Sequence, residues 1–170
     1  MKITLNIKLG IAAGIINCIA WYAFAKSLGF YSLNIEQYRY YVTLLLLFSG
    51  IFLSVYLTRK SQAGFIDFKD AVKCGILYTV VLALILAIFN YIYYKFIATD
   101  SIDYFLNDAR QLMEKDKLKE EDILKTIETI KTYFGSFRMF MSTLILGVLV
   151  SLLAGAVLRK KKLVIPFSEN

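Results

Sequence analysis

Histidine is absent from the 170 residues, proline occurs once, and the two cysteines, Cys18 and Cys74, lie far apart in the chain. Each shortage removes a class of chemistry. Without histidine there is no Ser-His-Asp triad and no imidazole metal site, and two distant thiols supply neither a zinc cluster nor a disulfide framework. Charge is scarce too, with Asp, Glu, Lys and Arg making up 19% of the chain, below the roughly 25% of soluble domains. What abounds is apolar side chain, 58% of the residues, with a mean hydropathy of +0.60. That excess excludes a disordered tail and argues against a water-soluble globule; it points to an integral membrane protein.

A charge at the bilayer centre costs about 2.5 to 3.5 kcal/mol on insertion scales, so charge-free runs delimit candidate spans. Four qualify, each bounded by Lys or Arg: Leu9 to Ala25, Tyr40 to Thr58, Cys74 to Tyr94 and Met139 to Leu158. About 20 residues of helix cover the roughly 30 Å hydrocarbon core. The first run, at 17 residues, is just long enough. Core helices of a soluble protein are the competing explanation, but these runs take up close to half the chain and leave too little amphipathic shell to cover them. Lys2 and Lys8 ahead of a run ending Ala23-Phe24-Ala25 also resemble a signal peptide. Bulky Trp21 and Tyr22 and the length of the run weigh against cleavage, and the other three spans keep their orientation in either case.

Between the third and fourth spans lies a polar segment, about 100–134. Ile102, Phe105, Leu106, Ala109, Leu112 and Met113 recur at helical spacing after an Asp100 or Ser101 cap, and Ile123, Leu124, Ile127, Ile130 and Phe134 do so again. The predicted fold is therefore all-α: a single-domain, integral membrane four-helix bundle with an external amphipathic helical hairpin between helices 3 and 4. Phe105, Leu112, Ile123, Ile127 and Ile130 form the candidate interaction face of that hairpin.

Lysine and arginine set the orientation. With the N-terminus inside, the inner face collects Lys2, Lys8, Arg59, Lys60, Lys69, Lys73 and Arg159 to Lys162, whereas eight basic residues of the hairpin loop are balanced by nine acids. The expectation is a bacterial inner-membrane protein with both termini cytoplasmic. Trp21, Tyr22, Tyr31, Tyr38, Tyr40, Tyr41, Tyr91, Tyr93 and Tyr94 would form an outer interfacial belt, with Tyr56 and Tyr78 near the inner interface.

An ionisable group within a span would mark a proton or substrate path, and none of the four runs contains one. Small residues do form patterns. Gly10 and Gly14 have GxxxG spacing with Asn17 on nearly the same face, and Thr143, Gly147, Ser151 and Gly155 recur every fourth residue. Such ladders let backbones approach closely. Matching depths predict that helices 1 and 4 pack together, with Asn17 reaching Ser151. In the inner loop, Asp67 reads as an N-cap and Asp70 as its N3 acid, with Gly64 in the preceding turn.

Gly64, Ile66, Phe68, Ala71, Lys73 and Gly75, followed by a long apolar helix ending in Tyr91, Tyr93, Tyr94, Phe96 and Ile97, also resemble a bacterial family catalogued as domain of unknown function family 4199. Lys8, Gly10, Gly14 and Trp21-Tyr22 extend the similarity over nearly the whole chain. Where that family often shows Asn-Pro-Asp after the third helix, Ala98-Thr99-Asp100 stands here, so only the aspartate matches. The resemblance implies four membrane helices and a polar segment before the last, and brings no activity or cofactor with it.

No catalytic residue, cofactor or metal is expected, and no nucleic-acid partner. Membrane lipid and a membrane or periplasmic protein are the expected partners, with the oligomeric state open. The leading function is a non-enzymatic one exercised through interaction. Its alternative is a small transporter or channel lined by Asn17, Asn90, Ser49, Ser54, Ser142 and Ser151. A membrane enzyme comes third, with Asp67, Asp70, Asp100 and Asp103 as the only boundary carboxylates.

Overall fold

Residues 1 to 165 contain no proline, so nothing removes a backbone donor from the long apolar runs. In the computed structural model, which describes residues 3–28, 33–115 and 119–160, each of those runs is helical throughout, and four long helices carry them. These are α1 (Ile3–Leu28), α2 (Leu33–Ser61), α3 (Phe68–Ile92) and α6 (Ser136–Leu158). At one end or both, each helix reaches past its run, because Lys and Arg at the ends of a helix keep their charge in water while the backbone stays helical. The polar segment forms α4 (Ser101–Lys115) and α5 (Glu120–Tyr133), packed on each other as a hairpin. Among the described residues there is no strand, only an isolated bridge.

Four helices are long and apolar enough to cross a membrane. Of these, α3 is the hub, touching α1, α2 and α6. Glycine explains the closeness. A Cβ on Gly10 would come within 2.9 Å of Val81, one on Gly14 within 2.8 Å of Ile85, and one on Gly155 within 2.9 Å of Val72. The rising register of the first two pairs makes α1 parallel to α3. On the other side Gly147 faces Thr79 and Gly75 faces Ser151, an antiparallel register. Both small-residue ladders thus serve α3, which corrects the expected pairing of Gly10 and Gly14 with Ser151 and Gly155. A ladder specifies a close approach, not the partner.

Tyr78 on α3 is fully buried, lies against Gly50 and donates its hydroxyl to the Leu46 carbonyl at 2.8 Å. It is a core residue of the α2–α3 seam, not an interfacial anchor, because Gly50 leaves the space that a side chain would fill.

At the end of the bundle carrying the start of α1 and the end of α6, the chain turns between α2 and α3. Ala63 and Gly64 take positive φ values of 55° and 86°, and the second is a conformation glycine adopts without steric cost. Arg59 ties the turn down, donating Nε to the Gly64 carbonyl at 3.0 Å and Nη1 to the Leu158 carbonyl at 3.4 Å. Ile66 and Lys160 exchange two backbone hydrogen bonds. Asp67 occupies the N-cap position of α3 with extended backbone, but its side chain makes no capping hydrogen bond.

At the opposite end α3 continues through a π-helical turn, Tyr93–Ile97, closed by Ala98 N–H donating to the Tyr93 carbonyl at 2.8 Å. The hairpin docks there through an aromatic ladder. Trp21 lies 4.7 Å from Tyr93, Tyr93 5.1 Å from Tyr94, Tyr94 5.3 Å from Phe134, and Phe134 stacks on Phe105 at 5.6 Å.

Candidate functional site

Asn17 and Trp21 stand one turn apart on α1, as Arg39 and Thr43 do on α2. Because these helices run antiparallel, the pairs meet crosswise. Asn17 Nδ2 donates to Thr43 Oγ1 at 2.9 Å, and the Arg39 guanidinium lies over the Trp21 ring, 4.6 Å from its centroid. Arg39 Nη1 also donates to Asn90 Oδ1 at 3.2 Å. Asn90 Nδ2 in turn donates to the Phe134 carbonyl at 2.9 Å and to Ser136 Oγ at 3.1 Å. One buried asparagine thereby joins α2, α3 and the junction of α5 with α6. A guanidinium on an indole face contributes about 2 kcal/mol when desolvated, and its hydrogen bond to Asn90 is charge-assisted.

Beside this cluster a crevice of about 260 Å³ opens between α2 and α6. Both helices run antiparallel to α3, so they descend side by side from the hairpin end. The lining is layered accordingly. Arg39 and Arg138 line its hairpin end, Thr43, Ser142 and Thr143 lie one turn on, and Leu47 and Leu146 a further turn. Thr143 is 6% exposed. Behind the crevice, Asn17 Oδ1 and Trp21 Nε1 are buried with no hydrogen-bond partner among the described residues. Unsatisfied buried polar atoms are rare enough in folded proteins that such a group calls for an explanation.

The predicted site residues distribute as follows. Gly10, Gly14, Gly147 and Gly155 are contact points on α3, Asn17 bonds α2 rather than Ser151, and Ser151 returns its hydroxyl to the Gly147 carbonyl at 2.6 Å while lying over Gly75. Of the inner-loop motif, Gly64 makes the turn, Phe68 lies against Gly155, Ala71 and Gly75 are buried, and Lys73 is exposed. In the hairpin, Phe105 and Ile123 are buried and Ile127 is half-buried. The side chains of Leu112 and Ile130 lie outside the described residues. Leu124 and Tyr104, not Phe105 or Ile123, present apolar surface outward.

Two belt residues prove to be interior. Trp21 and Tyr93 are about 1% exposed, held inside by Phe89 and Arg39, whereas Tyr22, Tyr38, Tyr40, Tyr41 and Tyr91 are exposed. The Trp21 ring face, which could meet a cationic ligand, is covered by the chain's own Arg39. Sequence reasoning missed Arg39 because it bounds a charge-free run and so reads as a water-facing marker. The i,i+4 match of Asn17 and Trp21 with Arg39 and Thr43 was the available signal. Among the described residues, no group of three or more His, Cys, Asp or Glu side chains converges as a metal site.

These features define a class: an all-helical bundle built around four apolar helices of membrane-crossing length, capped at one end by an amphipathic hairpin. Within that class the chain belongs to the family described as protein of unknown function (DUF4199), whose profile matches residues 8–160 and so takes in nearly all of α1, the hairpin and the whole of α6. Neither a curated protein nor a solved structure matches the chain.

Proposed function

We infer that this chain is a multi-pass protein of the bacterial inner membrane, with both termini in the cytoplasm, and that it acts through contact with lipid or another protein rather than by catalysis. The observation that carries this reading is the inverted placement of side chains. Ile16, Leu45, Ile88, Ile145 and Leu153 are exposed around α1, α2, α3 and α6, while Asn6, Asn17, Ser54, Asn90 and Ser151 are buried. In lipid that apolar exterior is solvated, and buried amides and hydroxyls hydrogen-bond between helices, as Ser54 does to Asn6 at 2.8 Å. Lys8, Arg59, Lys60, Lys69, Lys73, Arg159 and Lys160 at the end opposite the hairpin support a cytoplasmic placement of that end.

A transporter finds less support. Ser49 and Ser142 are exposed and bond the Leu45 and Met139 carbonyls of their own helices. Liposomes carrying the purified protein are expected to show no solute flux under a pH gradient, since the four runs hold no Asp, Glu or His. Reproducible flux that is lost in Asp67→Asn or Asp100→Asn would replace this reading with transport.

A further inference from the structure

We propose that the groove between α3 and α6 at the hairpin end holds one anionic glycerophospholipid, with its phosphate at Lys95 and Lys131 and an acyl chain running past Ile88. The proposal rests on the reading that the four long helices cross a membrane, and goes beyond it by naming an occupant and its seat. Two adjoining hollows make the groove. The one against the hairpin, about 440 Å³, is lined by Lys95 at the end of α3 and Lys131 of α5, with Asn90, Tyr91 and Ser136 also in its wall. The other, about 350 Å³, shares Tyr91 and Ser136 with the first and is otherwise apolar: Leu84, Ala87 and Ile88 come from α3, Phe137 and Phe140 from α6. Each volume is on the scale of a small-ligand site.

Charge chooses the headgroup. No Asp or Glu is among the described residues lining either hollow. Lys131 is exposed and makes no hydrogen bond or ion pair among the described residues. Lys95 gives one of its three donors to the Tyr91 hydroxyl at 2.7 Å and otherwise meets the ring faces of Tyr91 and Phe96 at 5.0 and 5.5 Å. Tyr91 and Ser136 accept from Lys95 and from Asn90, so each keeps its own hydroxyl proton to donate. Two ammonium groups and two hydroxyl donors thus line one wall, a set that suits a phosphate, whereas a zwitterionic headgroup would bring its own cation against the lysines. Depth chooses the tail. From Leu84 to Lys95 the helix rises about 16 Å, close to half of the roughly 30 Å hydrocarbon core. The apolar hollow therefore lies at acyl-chain depth when the lysines lie among headgroups, and exposed Ile88 and Phe137 offer it a surface that no free inorganic anion uses.

Photocrosslinking locates the lipid. The full-length protein is reconstituted in phosphatidylcholine vesicles with a small, fixed fraction of phosphatidylglycerol carrying a diazirine on one acyl chain or, in parallel, of phosphatidylcholine carrying the same group, and adducts are mapped after illumination. Phosphatidylglycerol is expected to label residues 84–91 and 136–140 about tenfold more than phosphatidylcholine does, the selectivity of one charged hydrogen bond. Lys95→Gln combined with Lys131→Gln changes two exposed side chains and is expected to remove that excess, while Lys95→Arg with Lys131→Arg keeps it. Ala87→Trp, which fills the apolar hollow, is expected to lower labelling of the groove several-fold with the lysines intact. Equal labelling by the two lipids overturns the proposal, as does an excess that the glutamine pair leaves unchanged or that lies only at Arg59, Lys69 and Lys73 at the opposite end. Loss of the excess in inorganic phosphate, but not in chloride of equal ionic strength, overturns the lipid in favour of a free anion. Labelling of none of the four long helices by either lipid sinks the membrane reading itself, an outcome distinct from labelling without preference.

Discussion

Asn90 ties three segments together at the hairpin end, since its amide accepts from Arg39 and donates to both Phe134 and Ser136. Asn90→Ala removes three hydrogen bonds, those with Arg39, the Phe134 carbonyl and Ser136, at a cost of about 1 to 3 kcal/mol. The variant is expected to unfold at lower denaturant and to open the hairpin to protease before the rest of the bundle. Gly50 and Tyr78 give a second test. Gly50→Val places atoms where the Tyr78 ring lies, and overpacking of this kind costs about 1 to 3 kcal/mol. Tyr78→Phe removes only the bond to Leu46, about 0.5 to 1.5 kcal/mol. The glycine change should therefore lower the unfolding midpoint in mild detergent more than the tyrosine change. An equal effect would mean that the seam relaxes around added volume. Neither residue announces its place in the sequence, because an aromatic near the edge of an apolar run has the same composition whether it faces lipid or its neighbours.

Between elements, what was legible and what was not divide along a physical line. The positions of α1, α2, α3 and α6 could be read from charge-free runs because the penalty for a charge in lipid depends only on depth, and α4 and α5 from their apolar period. Which helices touch depends on side chains brought together by the whole fold. Gly10, Gly14, Gly147 and Gly155 mark close approach, yet all four approach α3. Cysteines at Gly147 and Thr79 are accordingly expected to crosslink in membranes under mild oxidation, while cysteines at Gly14 and Ser151 are not. Success of the second pair would return the two ladders to each other. The site fared worse: Arg138 carried no signal by type or spacing, because a crevice lies between two helices and no local pattern encodes how far apart they stand. The hairpin's fate rests on its seam. Phe105→Ala removes the ring stacked on Phe134, and a buried Phe→Ala change costs about 3 to 5 kcal/mol, more than a short hairpin has to lose. Hydrogen exchange in α4 and α5 should rise sharply in that variant while α3 stays protected.

At the scale of the whole molecule the open issue is which way the bundle sits, and the structure changes how it should be asked. Ser101 sits at the head of the hairpin and is a natural place for a thiol label, but it is fully buried and donates its hydroxyl to the Ala98 carbonyl. A label that failed there would report burial, not sidedness. Asp103 and Glu128 are exposed on the hairpin, and Ser61 is exposed at the other end. In a background with Cys18 and Cys74 replaced by Ala, single cysteines at Asp103 and Glu128 are expected to react with a membrane-impermeant maleimide in intact spheroplasts. A cysteine at Ser61 should react only after permeabilisation. The force behind this expectation is the asymmetry of short-loop charge: Arg59, Lys60, Lys69 and Lys73 stand within a few residues of the ends of α2 and α3, where the retention of positive charge acts most strongly. In the hairpin, Lys115, Lys119 and Lys125 lie away from the ends of the four long apolar helices and among acids, and therefore count for little. Labelling of Ser61 in intact spheroplasts with protection of Asp103 and Glu128 would invert the bundle, move the α2/α6 crevice to the cytoplasmic leaflet and place the hairpin in the cytoplasm.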